Sequence, residues 1–146
     1  MTQANPTPKY VPDFLHNYRP SKDVIVVGQS PSKATKPKAN GTFAILNAMM
    51  IMAGVYSYSF MNVIEEEGGN KISQVDFDSV LKKISPWIGN GKKIIAMGDV
   101  ASDVLTRLGI AHLKIEHPSG SNRNLNNFEV KLDQPRLIHE YVKGKK

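Results

Sequence analysis

The tripeptide His117-Pro118-Ser119 follows a short apolar stretch, Ile110–Ile115, and opens a polar loop, Gly120-Ser121-Asn122-Arg123-Asn124. A loop of the same kind, Gly28-Gln29-Ser30-Pro31-Ser32, follows Asp23–Val27. These residue types can do chemistry together. A histidine can donate a hydrogen bond to an oxygen that is gaining negative charge. Hydroxyls, amides and an arginine suit phosphate oxygens, and the prolines fix the backbone between them. Asn62 interrupts the apolar run Phe60-Met61-Asn62-Val63-Ile64, and a buried amide there must find hydrogen-bond partners. They can come from the protein or from a planar ligand such as a nucleobase edge. Phe43, at the start of an apolar helix close behind the first loop, offers a ring for a base to stack on.

The elements that must position these groups alternate. Val24-Ile25-Val26-Val27 is a β-branched run of the kind found in buried parallel strands. A basic loop, 33–41, leads to Thr42 and an apolar helix from Phe43 to about Ala53, stopped by Gly54. Tyr56–Ile64 reads as a second strand. Val75, Phe77, Val80, Leu81, Ile84 and Ile88 recur at helical spacing and predict a helix over Val75–Ile88. Lys93–Met97 is a third strand. Asp99 is expected to cap a helix over Val100–Leu108 that ends at Gly109. Ala111–Ile115 is the fourth strand, and Gln134–Val142 a final helix. This alternation predicts an α/β fold, a three-layer sandwich with a central, mainly parallel sheet of about four strands. Both polar loops then open at the carboxyl ends of strands, where such sheets bind ligands. Residues 1–22 carry Pro6, Pro8, Pro12 and Pro20 with little periodicity and are expected to form a loosely packed arm. Residues 23–146 are expected to form one domain.

The chain has 146 residues, enough for one domain with a proper core. It contains no cysteine, which excludes disulfides, thiolate zinc sites and cysteine-ligated iron–sulfur clusters. No apolar run is long enough to cross a bilayer, and the polar N-terminus has no apolar signal core, so a cytoplasmic location is the expectation. The net charge is +6. The excess gathers at Lys33, Lys36 and Lys38, at Lys82-Lys83, at Lys92-Lys93 and near the C-terminus. A basic domain with positive charge beside its polar loops suits a polyanion, nucleic acid first, whereas Glu65-Glu66-Glu67 marks a side unsuited to phosphates. His16, His112 and His139 show no metal-ligand spacing and are expected to be structural. No metal or other cofactor is implied.

Four short motifs in this order resemble the uracil-DNA glycosylase superfamily. Gly28-Gln29-Ser30-Pro31 is similar to its first motif, of Gly-x-x-Pro type. Phe43, in Asn40-Gly41-Thr42-Phe43, stands for the aromatic that stacks on the flipped base. Asn62 stands for the strand-end asparagine that reads the pyrimidine edge, and His117-Pro118-Ser119 for the His-Pro-Ser motif. The resemblance spans roughly residues 24–126.

It implies a base flipped from its stack into a pocket and cleavage of the glycosidic bond in single- or double-stranded DNA. His117 would donate to the base carbonyl. Gln29 and Ser30 would sit beside the attacking water, and Gly28, Pro31, Phe43, Asn62 and Ser119 would line the substrate site. Lys33, Lys36, Lys38, Asn122 and Arg123 would face DNA phosphates, with Leu125 or Arg123 filling the gap left in the stack. The contexts of Phe43 and Asn62 are closest to the thermophilic branch. That branch has a glutamate where Gln29 stands and a cysteine-ligated cluster that this chain cannot hold. The best-known branch has an aspartate where Ser30 stands, and other branches work with an asparagine there. The alternative is a catalytically silent relative that binds nucleic acid or a base-containing ligand.

Overall fold

The computed structural model describes residues 23–30, 42–64, 71–89, 91–116 and 128–143. The expected arm, 1–22, and both basic and polar loops at 31–41 and 117–127 lie outside them. Four strands form one sheet: β1 (Val24–Gly28), β2 (Ser59–Asn62), β3 (Lys93–Met97) and β4 (Leu113–Ile115). They are all parallel and lie in the order β2-β1-β3-β4. The helices are α1 (Thr42–Met52), α2 (Phe77–Ile84), α3 (Gly98–Arg107) and α4 (Phe128–Lys143). The sequence pattern predicts this three-layer α/β sandwich, and the structure has it.

From β1 the chain moves outward to β2, then crosses back over β1 to β3 and β4. Right-handed crossovers in opposite directions put their helices on opposite faces. Alternation along the strands follows: Val24, Val26, Phe60, Ile95, Met97 and Ile115 pack toward α1 and α4 with Leu46, Met50 and Ile138. Ile25, Val27, Met61, Ile94 and Ala96 pack toward α2 and α3 with Val80, Ile84, Val104 and Leu105. The direction of winding reverses between β1 and β3, and the crevice at their carboxyl ends is the topological switch point.

Several boundaries differ from the expected ones for local reasons. α2 begins only at Phe77, because Asp76 caps it by accepting from the Ser79 amide at 3.1 Å. It stops at Ile84, since Pro86 turns the chain into a 3-10 turn, Ser85–Trp87, that seats Trp87 in the core. β2 is shorter than Tyr56–Ile64, and Tyr56 is exposed. Its pairing nevertheless runs on past Asn62, with Val63 N donating to Gly28 O at 3.0 Å and Ile64 N to Gln29 O at 2.8 Å.

β4 starts late because His112 is engaged elsewhere. Its ring bonds Ile110 O and the Ser102 hydroxyl, each at 2.8 Å. A carbonyl only accepts, so Nδ1 carries the proton and Nε2 takes the hydroxyl. α4 starts at Phe128, six residues before the expected Gln134, with Pro135 inside it rather than in its first turn. Asp99 does not cap α3. The cap position is Met97, and Asp99 lies in the first turn. No helix among the described residues is long and apolar enough to cross a membrane.

Candidate functional site

β1 and β2 end in register, Gly28 opposite Asn62. Asn62 is 3% exposed, a buried amide at the edge where the sheet opens. Its side chain points at Gly28: a Cβ built on Gly28 would lie 2.8 Å from Asn62 Oδ1, 2.7 Å from Phe60 Cζ and 2.9 Å from Met97 Cε. Side chains from β2 and β3 thus converge over the last residue of β1, and only a glycine leaves them room. Beyond it, Gln29 and Ser30 are half-buried at the switch point. At the end of β3, Gly98 takes φ +82 and turns the strand into α3 with no intervening loop. The α3 amides therefore open at the same edge.

The fourth strand ends at Ile115, paired with Met97. The next amide, Glu116 N, donates to Gln134 Oε1 at 2.8 Å. Gln134 is a buried polar side chain, 6% exposed, on α4. The sequence pattern puts Gln134 at a helix start and marks no role for it. Its burial, the only signal that marks it, depends on where α4 docks. Lys114 of β4 forms an ion pair with Asp99. Their hydrogen bond, then their mutual charge, holds the Asp99 carboxyl below its ordinary range and the Lys114 ammonium above its own.

A groove of about 240 Å³ runs from Asn62 and Val63 along α2, lined by Gln74, Asp76, Ser79, Val80 and Lys83. Asp76, Ser79, Val80 and Lys83 are spaced to share one helix face. That stripe is present in the sequence, where Val80 stands out for its apolar spacing and Lys83 for its charge, and nothing marks Asp76 or Ser79 as part of it.

Of the sequence-predicted site residues, Gly28, Gln29, Ser30 and Asn62 come together at one edge. Phe43 lies in the first turn of α1, its backbone helical and its side chain outside what is described. His117, Ser119, Pro31, Lys33, Lys36, Lys38, Asn122, Arg123 and Leu125 lie outside the described residues. His112 and His139 have structural partners, His139 Nδ1 donating to Ala53 O at 3.0 Å. Among the described residues no group of three or more His, Cys, Asp or Glu side chains could hold a metal ion. No family model, no curated protein and no solved structure matches the chain.

Proposed function

We propose that the chain is a DNA glycosylase-like protein that hydrolyses the N-glycosidic bond of uracil or another altered base in DNA, acting in the cytoplasm. The observation that carries the reading is the buried amide of Asn62 beside Gly28 at the carboxyl edge of a doubly wound parallel sheet. An amide has both a donor and an acceptor, the pair needed to read a pyrimidine edge. In this reading the target base is flipped out of its stack, Phe43 stacks on it, and Gly28, Pro31 and Ser119 line the pocket. His117 donates to the base carbonyl as the bond to C1′ breaks and the electron pair passes to the base. Preorganised donors at such a position contribute about 3 kcal/mol. Water then adds to C1′, and the proton it loses passes to solvent water, balancing the negative charge carried by the departing base. Gln29 and Ser30 orient that water, and neither is a general base at neutral pH. Lys33, Lys36, Lys38, Asn122 and Arg123 hold phosphates, and Leu125 fills the stack.

The second reading is a silent relative that binds nucleic acid or a nucleobase-containing ligand without cutting it. The absence of a carboxylate at Gln29 and Ser30 favours it. One experiment separates the two. The protein is incubated with uracil-containing single- and double-stranded DNA, followed by alkali. Strand breaks that fall at least a hundredfold in His117→Ala and in Asn62→Ala are the expected result. Salt-dependent binding without breaks would leave the silent reading, and no binding to either DNA would remove the glycosylase and nucleic-acid readings and point to a small ligand.

A further inference from the structure

We propose that Ser102 is a nucleophile, with His112 as its general base, in a second reactive site that accepts small activated acyl esters. The site is independent of the glycosylase reading. His112 stands before the amino end of β4, whereas Asn62 and Gly28 meet at the carboxyl edge of the sheet. Two side-chain contacts join α3 to the β4 segment, Asp99 with Lys114 and Ser102 with His112. Asp99 and Ser102, three residues apart, share one face of the helix, so the contacts lie one above the other along a single seam.

The Ser102 hydroxyl lies 2.8 Å from His112 Nε2, and His112 Nδ1 donates to Ile110 O at 2.8 Å. The carbonyl keeps the ring proton on Nδ1, so the lone pair of Nε2 faces the hydroxyl. This is the arrangement that activates a serine: a base within reach of the nucleophile, and a third group that holds the base in one tautomer and one orientation. A serine inside a helix often returns its hydroxyl to the carbonyl one turn back, but Ser102 gives it to an imidazole. Both residues are half-buried, which holds the pair in place and leaves it open to a small reagent. In the reaction, Oγ attacks the ester carbonyl as its proton passes to Nε2. The bond to the alcohol oxygen breaks, and the alcohol leaves with that proton. Water repeats the exchange at the acyl-serine: Nε2 takes its proton and returns it to Oγ, and the carboxylic acid departs. The Lys114 ammonium, one step along the seam, offers a positive charge to the oxygen that turns negative on the way.

The test exposes the full chain to an alkyl phosphonyl fluoride, which reports activated serines. Oγ bonds to phosphorus, the P–F bond breaks, and fluoride and the hydroxyl proton leave to solvent. Peptide mass mapping then reads the label. Expected is one phosphonyl group per chain, on Ser102, added at least a hundredfold faster than to any other serine. His112→Gln keeps an acceptor for the hydroxyl and removes the base, so labelling of Ser102 should slow at least a hundredfold in that folded variant. If His112→Gln does not fold, His112→Asn carries the same readout. With p-nitrophenyl acetate, wild type should release p-nitrophenolate at least tenfold faster than Ser102→Ala. A Ser102 that labels no faster than the other serines would overturn the proposal and leave the pair as a structural bond between α3 and β4. Equal labelling with and without the His112 imidazole would overturn it as well, because the base would then have no part in the reaction. Neither outcome touches the glycosylase reading, which uses no residue of this pair.

Discussion

The two faces of the sheet are covered by helices of different character. On one side α2 and α3 are amphipathic: Val80 and Ile84, then Ala101, Val104 and Leu105, are buried at helical spacing, with charged residues on the opposite stripe. On the other side α1 is almost entirely apolar, Thr-Phe-Ala-Ile-Leu-Asn-Ala-Met-Met-Ile-Met, and leaves Ile51 and Met52 exposed. Its composition does not say which stripe turns inward. There, single polar side chains of α4 supply the missing information: Gln134 to Glu116 N, His139 to Ala53 O and Tyr141 to Ile94 N. Periodic burial fixes one face, and side-chain-to-backbone bonds index the other. The candidate site opens at the carboxyl edge of the sheet, where Gly28, Asn62 and Met97 meet on the indexed side.

The largest effect is expected where periodicity does the holding. Leu105 is fully buried, and Leu105→Ala should lower the unfolding free energy by about 3 kcal/mol through lost transfer and an uncollapsed cavity. Urea denaturation measures this. A loss under about 1 kcal/mol would mean that the apolar stripe is not what docks α3. Gly28→Ala should come next, at about 2 kcal/mol, because its methyl group meets Phe60, Asn62 and Met97 at once. The same substitution should shift the Asn62 side-chain amide resonances, tying the stability loss to the site. Unchanged amide signals would separate the glycine from the asparagine.

The difference between the faces also explains what was legible in the sequence. The parallel sheet, its four strands and the helix order follow from β-branched runs and apolar spacing, which are local and repeat. The apolar period alone overextends α2 at both ends, because Val75 and Ile88 fit it. The competing local chemistry, Asp76 as a cap and Pro86 as a stop, was present in the same residues but outweighed by the pattern. Gln134 and Tyr141 were illegible in principle. A lone glutamine or tyrosine on a helix looks solvent-facing until the helix is docked, and their partners lie 18 and 47 residues away in the chain. Asn62 could be picked out because it broke an apolar run. The grip of Asn62, Phe60 and Met97 on Gly28 could not, since it depends on strands that the topology brings side by side.

A smaller effect tests the indexing. Lys93 N donates to Asp23 O at 2.8 Å, so the next amide, Ile94 N, faces the opposite side of β3, below the point where β4 begins. Tyr141 Oη accepts it at 3.2 Å. The Lys93 ammonium lies 5.1 Å from the Tyr141 ring centroid, an approach that a phenylalanine would keep. Tyr141→Phe therefore isolates the hydroxyl, and should lower stability by about 1 kcal/mol and speed exchange of the Ile94 amide. An unchanged exchange rate there would show that the Tyr141 hydroxyl does not index α4, leaving that role to Gln134 and His139.

The smallest effect comes from a polar link on the periodic side, between Asp99 of α3 and Lys114 of β4. It is exposed, with 89% of the Asp99 side chain and 50% of the Lys114 side chain accessible, so it should contribute no more than about 0.5 kcal/mol and weaken in salt. The pH dependence has a definite sign. The Asp99 carboxyl is held below its ordinary value of 3.8, first by the hydrogen bond from Lys114 and then by its charge. Its contribution is present above that value and is lost as the pH falls through the lowered folded one. Lys114 is held above 10.5 by the same hydrogen bond, so its contribution is present below that value and is lost as the pH rises through the raised one. Asp99 also sits in the first turn of α3, where a negative charge is favourable without any partner. Asp99→Asn removes both effects, whereas Lys114→Met leaves the dipole contribution and removes the pair together with the attraction of Lys114 to Glu116. Across about pH 5 to 9 the asparagine variant should be the less stable of the two. If instead both variants lose equally in low salt and nothing in high salt, the ion pair accounts for the whole effect of Asp99, and the helix dipole adds nothing to that side of the sheet.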